Sequence, residues 1–211
     1  MKGLIISSGD IKDLKRLKEL TYGIDTIICA DGGIRYAMKI DIVPDAIIGD
    51  LDSIDMGSRK FIEENNIRVI KFPVEKDETD TELALMYLCS QGCGDIILTG
   101  VTGTRIDHTL GNIFLLKKLQ SEGVNGKIID DKNTIYYVNN YLKLAKRKDY
   151  FISIIPITMD GAVVTLNGFY YSLNNSLVDF SSTLGISNKI VEEYGEIKII
   201  RGEVLIIESK D

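Results

Sequence analysis

At 211 residues, 45% of them hydrophobic and 27% charged, the chain carries enough apolar material for a sizeable core, which excludes intrinsic disorder and fibrous structure. Its 25 basic and 31 acidic residues leave a net charge of −6, with no basic stripe to follow a phosphate backbone, so nucleic acid is not expected as a partner. No uncharged apolar run approaches the roughly 18 residues of a membrane span, and residues 1–10 reach the carboxylate of Asp10 before a signal-peptide core forms; the expectation is a cytoplasmic protein with no membrane partner.

The length suits one large domain or two small ones. Three cysteines, Cys29, Cys89 and Cys93, are an odd number. The pair four residues apart lacks a second pair or a neighbouring histidine to complete a zinc site, so reduced structural thiols are expected. His108 is the single histidine, so carboxylates must carry most of any metal or acid–base chemistry.

In chain order, short β-branched runs predict strands over 4–7, 26–30, 46–49, 68–72 and 95–99. Helical patterns alternate with them over 13–20, 33–38, 56–64 and 80–90, and a further helix is predicted over 107–120. Continuous apolar runs of this kind suit strands buried on both faces of a parallel sheet. The alternation predicts a doubly wound, mostly parallel α/β domain over 1–125, with ligands at the carboxyl ends of its strands. From 126 to 211 the helical pattern stops. Strand-like runs at 127–129, 134–138, 150–156, 162–166, 189–194, 198–201 and 204–207 predict an all-β sandwich or small barrel, with hairpin turns at Gly195-Glu196 and Gly202-Glu203.

Acidic residues and glycines gather at the predicted strand ends. The strand at 46–49 runs into Gly49-Asp50-Leu51-Asp52-Ser53; in an extended segment residues two apart face the same way, so Asp50 and Asp52 are expected to project together. Such a pair suits a hard cation such as Mg²⁺, although two unrelated acids in a solvated loop account for it equally well. The next strand leads to Glu75-Lys76-Asp77-Glu78-Thr79-Asp80-Thr81-Glu82. Thr79 and Glu82 fit a capping box, which leaves Asp77 and Asp80 to face the same crevice. Gly100-Val101-Thr102-Gly103-Thr104-Arg105-Ile106-Asp107-His108 reads either as a phosphate loop, with glycine amides and the Arg105 fork as donors, or as a plain turn with Asp107 as N-cap and Arg105 paired to an acid. Ala30-Asp31-Gly32-Gly33 offers close backbone approach to a ligand, or an ordinary turn. Taken together, these strand ends predict a site for a metal-complexed polyphosphate.

Those segments, Pro44-Asp45 ahead of the Gly49 motif, and Ser187-Asn188 after Gly185 together resemble, in order, the motifs of thiamine pyrophosphokinase; Thr104 stands where that family commonly has glycine. The resemblance implies a catalytic α/β domain followed by a thiamine-binding β-sandwich, acting as a homodimer whose active site lies at the subunit interface. It implies transfer of a diphosphate group from ATP to the hydroxyl of thiamine, giving thiamine diphosphate and AMP. By the same resemblance, Asp50, Asp52, Asp77 and Asp80 hold Mg²⁺, and Asp80, Asp52 and Arg105 are catalytic. Asp31, Gly32, Gly33, Gly103, Thr104, Arg105 and His108 meet ATP, and Asp80, Asp107, Ser187 and Asn188 meet thiamine. His108 is read more readily as packing at the helix start than as a nucleotide contact. Tyr170 and Tyr171 stay outside the site because one of two adjacent strand tyrosines usually enters the core. The alternatives are a metal-dependent phosphohydrolase using the same aspartates, and a nucleotide- or thiamine-binding module without turnover.

Overall fold

A computed structural model describes residues 1–52, 54–72 and 77–211, and the chain divides into two compact units, Met1–Asp131 and Lys132–Asp211. In the first unit, among the described residues, β1 (Lys2–Ile6), β2 (Thr26–Ala30), β3 (Ala46–Ile48), β4 (Arg68–Ile70), β5 (Asp95–Thr99) and β6 (Asn125–Ile129) alternate with α1 (Leu14–Leu20), α2 (Ile34–Lys39), α3 (Met56–Glu64), α4 (Asp80–Ser90) and α5 (Ile106–Ser121). The strands lie in the order β4-β3-β2-β1-β5-β6, and every registered pair is parallel. After stepping outward from β1 to β4, the chain returns to place β5 on the other side of β1. The switch point, where such sheets open a ligand crevice, therefore lies beyond the carboxyl ends of β1 and β5.

Gly3 to Ile6 of β1 are all buried, as expected for a strand covered on both faces. Leu4 and Ile6 share a core cluster with Leu17 of α1, Ile34 of α2 and Ile62 of α3. On the opposite face a Cβ at Gly3 would lie 2.6 Å from Leu88 Cδ1, so α4 covers the strand closely there.

In the second unit the strands are β7 (Asn133–Val138), β8 (Tyr141–Ala145), β9 (Phe151–Pro156), β10 (Ala162–Asn167), β11 (Leu173–Val178), β12 (Tyr194–Arg201) and β13 (Val204–Ser209). They form antiparallel arrays in the orders β7-β13-β9 and β11-β10-β12-β8. Ile152, Ile154 and Ile206 of the first array share one core with Val164, Val178 and Ile197 of the second, which makes the unit a sandwich.

Several expectations are revised. Residues 127–129 belong to β6, which adds to the parallel sheet beside β5, so the units divide after Asp131 rather than at 125/126. Gly195-Glu196 lies inside β12, where Gly195 pairs with Leu144 and a Cβ would meet the Phe169 ring at 2.7 Å. That glycine answers a packing need, not a turn. Gly202, at φ +88°, does turn the chain, but it carries it from β12 in one array to β13 in the other, so no hairpin forms. Residues 189–193 hold only the isolated Phe169–Ile190 bridge, while β8 and β11, whose exposed polar positions blur the alternation, lie where the sequence pattern predicts no strand.

Candidate active site

At the end of β2 the chain enters a 3-10 turn at Asp31–Gly33 and passes straight into α2. A Cβ on Gly33 would lie 1.9 Å from Ile6 O, so this glycine lets α2 start against the backbone of β1. Gly32 instead faces Ser8, 3.4 Å from its Cβ. Asp31 adopts φ +49°, in the left-handed region. The Asp-Gly-Gly run thus serves packing through Gly33 and leaves Asp31 and Gly32 at the crevice.

β3 stops at Ile48 and the chain turns at once, with Gly49 at φ +145° and Leu51 at φ +64°. The expected extended segment is therefore replaced by a tight turn, in which Asp50 Oδ1 accepts the Asp52 amide at 3.0 Å. Turn chemistry outcompetes strand periodicity here. Across from it, a Cβ on Gly49 would lie 3.2 Å from Asp80 Oδ2 and 3.4 Å from Asp31 Cα. Segments following β2 and β3 and the first turn of α4 consequently meet at one point. The absence of a side chain at position 49 lets them do so.

Thr79 caps α4 as expected, accepting the Glu82 amide through Oγ1 at 3.2 Å. The Glu82 carboxylate takes Lys118 Nζ of α5 at 2.7 Å, an ion pair between the two helices. Ser7 Oγ lies 3.0 Å from Thr81 Oγ1, tying the end of β1 to the same helix start. Asp77 is exposed ahead of the cap. Ser53, Glu75 and Lys76 of the motifs lie outside the described residues. Among the described residues no three His, Cys, Asp or Glu side chains are gathered as a metal-holding group. The four carboxylates expected to share a cation thus stand at neighbouring strand ends without forming one cluster.

The loop after β5 presses against the end of β1. Gly100, at φ +64°, would carry a Cβ 2.4 Å from Ser7 O, and Gly9 N–H donates to Gly100 O at 2.6 Å. Farther along, Thr109 Oγ1 accepts Gly103 N–H at 3.2 Å and lies 3.3 Å from Gly103 O, while Asn112 Nδ2 donates to Val101 O at 2.8 Å. The Gly103 amide, expected to face phosphate, is thus engaged by α5. Thr104 is exposed, and so is His108, which lies in the first turn of α5 facing solvent rather than packed.

Arg105 grips Asp107 in a bidentate pair, Nη2 to Oδ2 at 2.6 Å and Nε to Oδ1 at 3.3 Å. The N-cap residue of α5 is Arg105, without a side-chain cap, and Asp107 sits in the first turn. Hydrogen bonding from Arg105, and next from the His108 amide, holds the Asp107 carboxyl down to about 2. Because the folded state favours the ionised form, the pair contributes stability above the usual carboxylate range and loses it as pH falls through about 2. Carboxyl NMR should place the Asp107 midpoint near 2 and return it to the usual range in Arg105→Gln; an unmoved midpoint would refute the pair as its cause.

In the second unit Ser187 adopts φ +59°, and its amide donates to Ser153 Oγ at 3.1 Å. Asn188 is buried. Its Oδ1 accepts the amides of Tyr171 at 3.1 Å and Lys189 at 2.8 Å, and its Nδ2 donates to Tyr171 O at 2.8 Å. The amide group expected to meet a ligand is committed to the fold, holding the segment after β10 against the edge of β9, where Asn188 pairs with Ile152. Beside it opens a cavity of about 550 Å³, lined by Leu166, Tyr170, Tyr171, Leu184, Ile186 and Asn188 among others. Both tyrosines are exposed, edge to face with centroids 4.9 Å apart. They escape the strand rule because β10 has ended, and Phe169 takes the core position instead. The strand rule that leaves them outside the site therefore does not apply to them, and Ser7-Ser8-Gly9-Asp10 is a further strand end that carries a glycine, as those after β2, β3 and β5 do.

Comparison with known proteins agrees with these features. The model of the thiamin pyrophosphokinase catalytic domain matches residues 17–128, and that of the thiamin pyrophosphokinase vitamin B1 binding domain matches residues 139–202. The chain belongs to the thiamine pyrophosphokinase family. The thiamine pyrophosphokinase of Bacillus subtilis (strain 168) is 34% identical over 216 residues, covering 100% of both chains. A crystal structure of thiamine pyrophosphokinase from the same species superposes with a TM-score of 0.91 at 32% identity, again over 100% of both chains. The structure of thiamin pyrophosphokinase from Geobacillus thermodenitrificans gives 0.87 at 29% identity, covering 100% of this chain and 98% of that one. Family membership thus extends through both units, and the motif resemblance and the fold agree.

Proposed function

We propose that this chain is an ATP:thiamine diphosphotransferase, forming thiamine diphosphate and AMP. The observation that carries the reading is the convergence of Asp31, Gly49 and Asp80 at adjacent strand ends, in a chain that the family matches along its length. Carboxylates at a glycine-lined turn are poor partners for a bare polyphosphate but good ones for its complex with a hard cation.

The donors are of the chemical kind that Mg²⁺ takes, although among the described residues they are not gathered as one group. They offer hard oxygen ligands, and Asp80 Oδ2 lies against Gly49, where no side chain intervenes. Asp50, Asp52, Asp77 and Asp80 would hold the ion, which supplies charge neutralisation on the phosphates. Asp31 and Gly32 border the nucleotide, with Gly33 holding their turn in place. Gly103 and Thr104 stand on the loop that would run along the phosphates, and His108 stands in the first turn of α5 that follows it. Attack of the thiamine hydroxyl on the β-phosphorus builds charge on phosphate oxygens, so positioning and electrostatics dominate. Asp80 accepts the hydroxyl proton. Arg105, an exposed fork, exchanges its Asp107 partner for phosphate as that charge develops, which frees Asp107 to face the cationic thiazolium.

Thiamine binds beside the cavity of the second unit, with Ser187 offering its hydroxyl, Asn188 fixing the wall, and Tyr170 and Tyr171 presenting aromatic surface. The protein works as a homodimer with a shared active site, covering the exposed Ile106, Leu110 and Phe114 that recur at helical spacing along α5. It works in the cytoplasm; among the described residues no helix is long and apolar enough to cross a membrane.

Incubation with ATP, Mg²⁺ and thiamine tests the reading. AMP is expected only when thiamine is present. Phosphate release independent of thiamine would favour the phosphohydrolase, and tight binding without AMP would favour a non-catalytic module.

A further inference from the structure

The Tyr36 side chain is 5% exposed and shares the core with Leu17, Ile34 and Ile62. A phenylalanine would fill the same space, so the hydroxyl must answer to something other than packing. It points to the loop after β1, where it donates to Gly9 O at 2.7 Å and accepts Ile11 N–H at 3.2 Å. Arg35 Nη2 also donates to it at 3.2 Å, and the same nitrogen donates to Ser8 O. A phenol has one proton and two lone pairs, and all are used here. The buried ring is thereby anchored to a loop of otherwise irregular backbone.

The opposite side of that loop is fixed as well. Gly9 N–H is held by Gly100 O, and a Cβ at Gly9 would lie 2.5 Å from both Gly100 O and Thr102 O. Residues 8–11 are thus held between the helix after the Asp31 turn and the loop after β5. This is the switch point of the sheet, between two segments already assigned to the nucleotide.

We propose that Tyr36 is a positioning residue for ATP, setting the shape of residues 8–11 so that they form one wall of the nucleotide crevice. The inference rests on the reading of that crevice as the ATP site. The hydroxyl holds Gly9 O and Ile11 N–H in place before ATP arrives, so the ordering cost is met by the fold rather than at binding.

The test uses Tyr36→Phe in the full chain. Its KM for ATP and its Kd for ATP, measured by calorimetry, are expected to rise at least about fivefold, with kcat and the KM for thiamine within about twofold of wild type. Exchange of the Ile11 amide with solvent deuterium should accelerate at least about tenfold. A purely structural hydroxyl would lower the melting temperature and leave the split between the two KM values unchanged. An unaltered Kd for ATP would overturn the proposal, as would unaltered protection of Ile11. Should wild type make no AMP from thiamine, the functional reading fails, yet the ATP affinities of the two proteins still decide the role of Tyr36. Absence of ATP binding to wild type would overturn both.

Discussion

Asp80→Asn is expected to lower thiamine-dependent AMP formation by at least about a hundredfold while leaving the protein folded. Asp80 stands in the first turn of α4 with Oδ2 against Gly49 and near the Asp31 backbone. Asparagine keeps the shape and remains acceptable at a helix start, so the fold is expected to survive the change. Catalysis loses much more, because an amide neither neutralises a cation nor takes a proton from an attacking hydroxyl. Asp52→Asn should have a comparable effect on turnover across an Mg²⁺ titration for a simpler reason. The Asp52 backbone amide serves the turn, through Asp50 Oδ1, and asparagine keeps that amide. Wild-type turnover in either variant, measured as AMP at saturating ATP, would remove that residue from the metal-binding set.

The first five strands of the parallel sheet were legible because each centres on a short run of Ile, Val, Leu or Ala ending in a turn signal, and burial on both faces makes such runs continuous; β6, with no helix after it, read as part of the second half. The meeting of the segments after β2 and β3 with the start of α4 was legible for the same reason, since the segment leaving a parallel strand must start at the sheet's carboxyl edge. The division of polar side chains between ligand and fold escaped. Thr109 reaches back for the Gly103 amide, Glu82 crosses to Lys118, and Asn188 spends its amide on the Tyr171 backbone. The last two of these contacts join positions that only the tertiary structure brings together, and the first depends on how the loop bends into α5, so no simple sequence pattern marks them. The sandwich was less legible than the sheet. Its glycines answer to neighbours distant in sequence, as Gly195 does to Phe169, and they read as turns when taken locally.

Gly33→Ala provides the strongest expected effect on stability, and its cause differs from the usual one for glycine. The φ of Gly33 is −58°, which any residue adopts, so no conformational strain is at issue. An alanine there would even gain about 0.4–1 kcal/mol from restricting the unfolded chain. Against this stands a Cβ at 1.9 Å from Ile6 O, 2.7 Å from Ile6 C and 3.2 Å from Ser7 C. These are backbone atoms of the central strand, and no rotamer change relieves them. Either α2 or β1 must shift, and with it the Asp31 turn and the Tyr36 hydroxyl that grips residues 8–11. The expected cost is more than about 3 kcal/mol, read as a lowered denaturant midpoint, or as failure to accumulate soluble protein. Gly23→Ala supplies the contrast: with φ +71° and nothing within 4 Å of the added Cβ, it should cost only about 1 kcal/mol, the conformational penalty alone. Equal stability of the two variants would show that α2 and β1 can part without cost, and the close approach of the Asp31 turn to the switch point would then lose its physical basis.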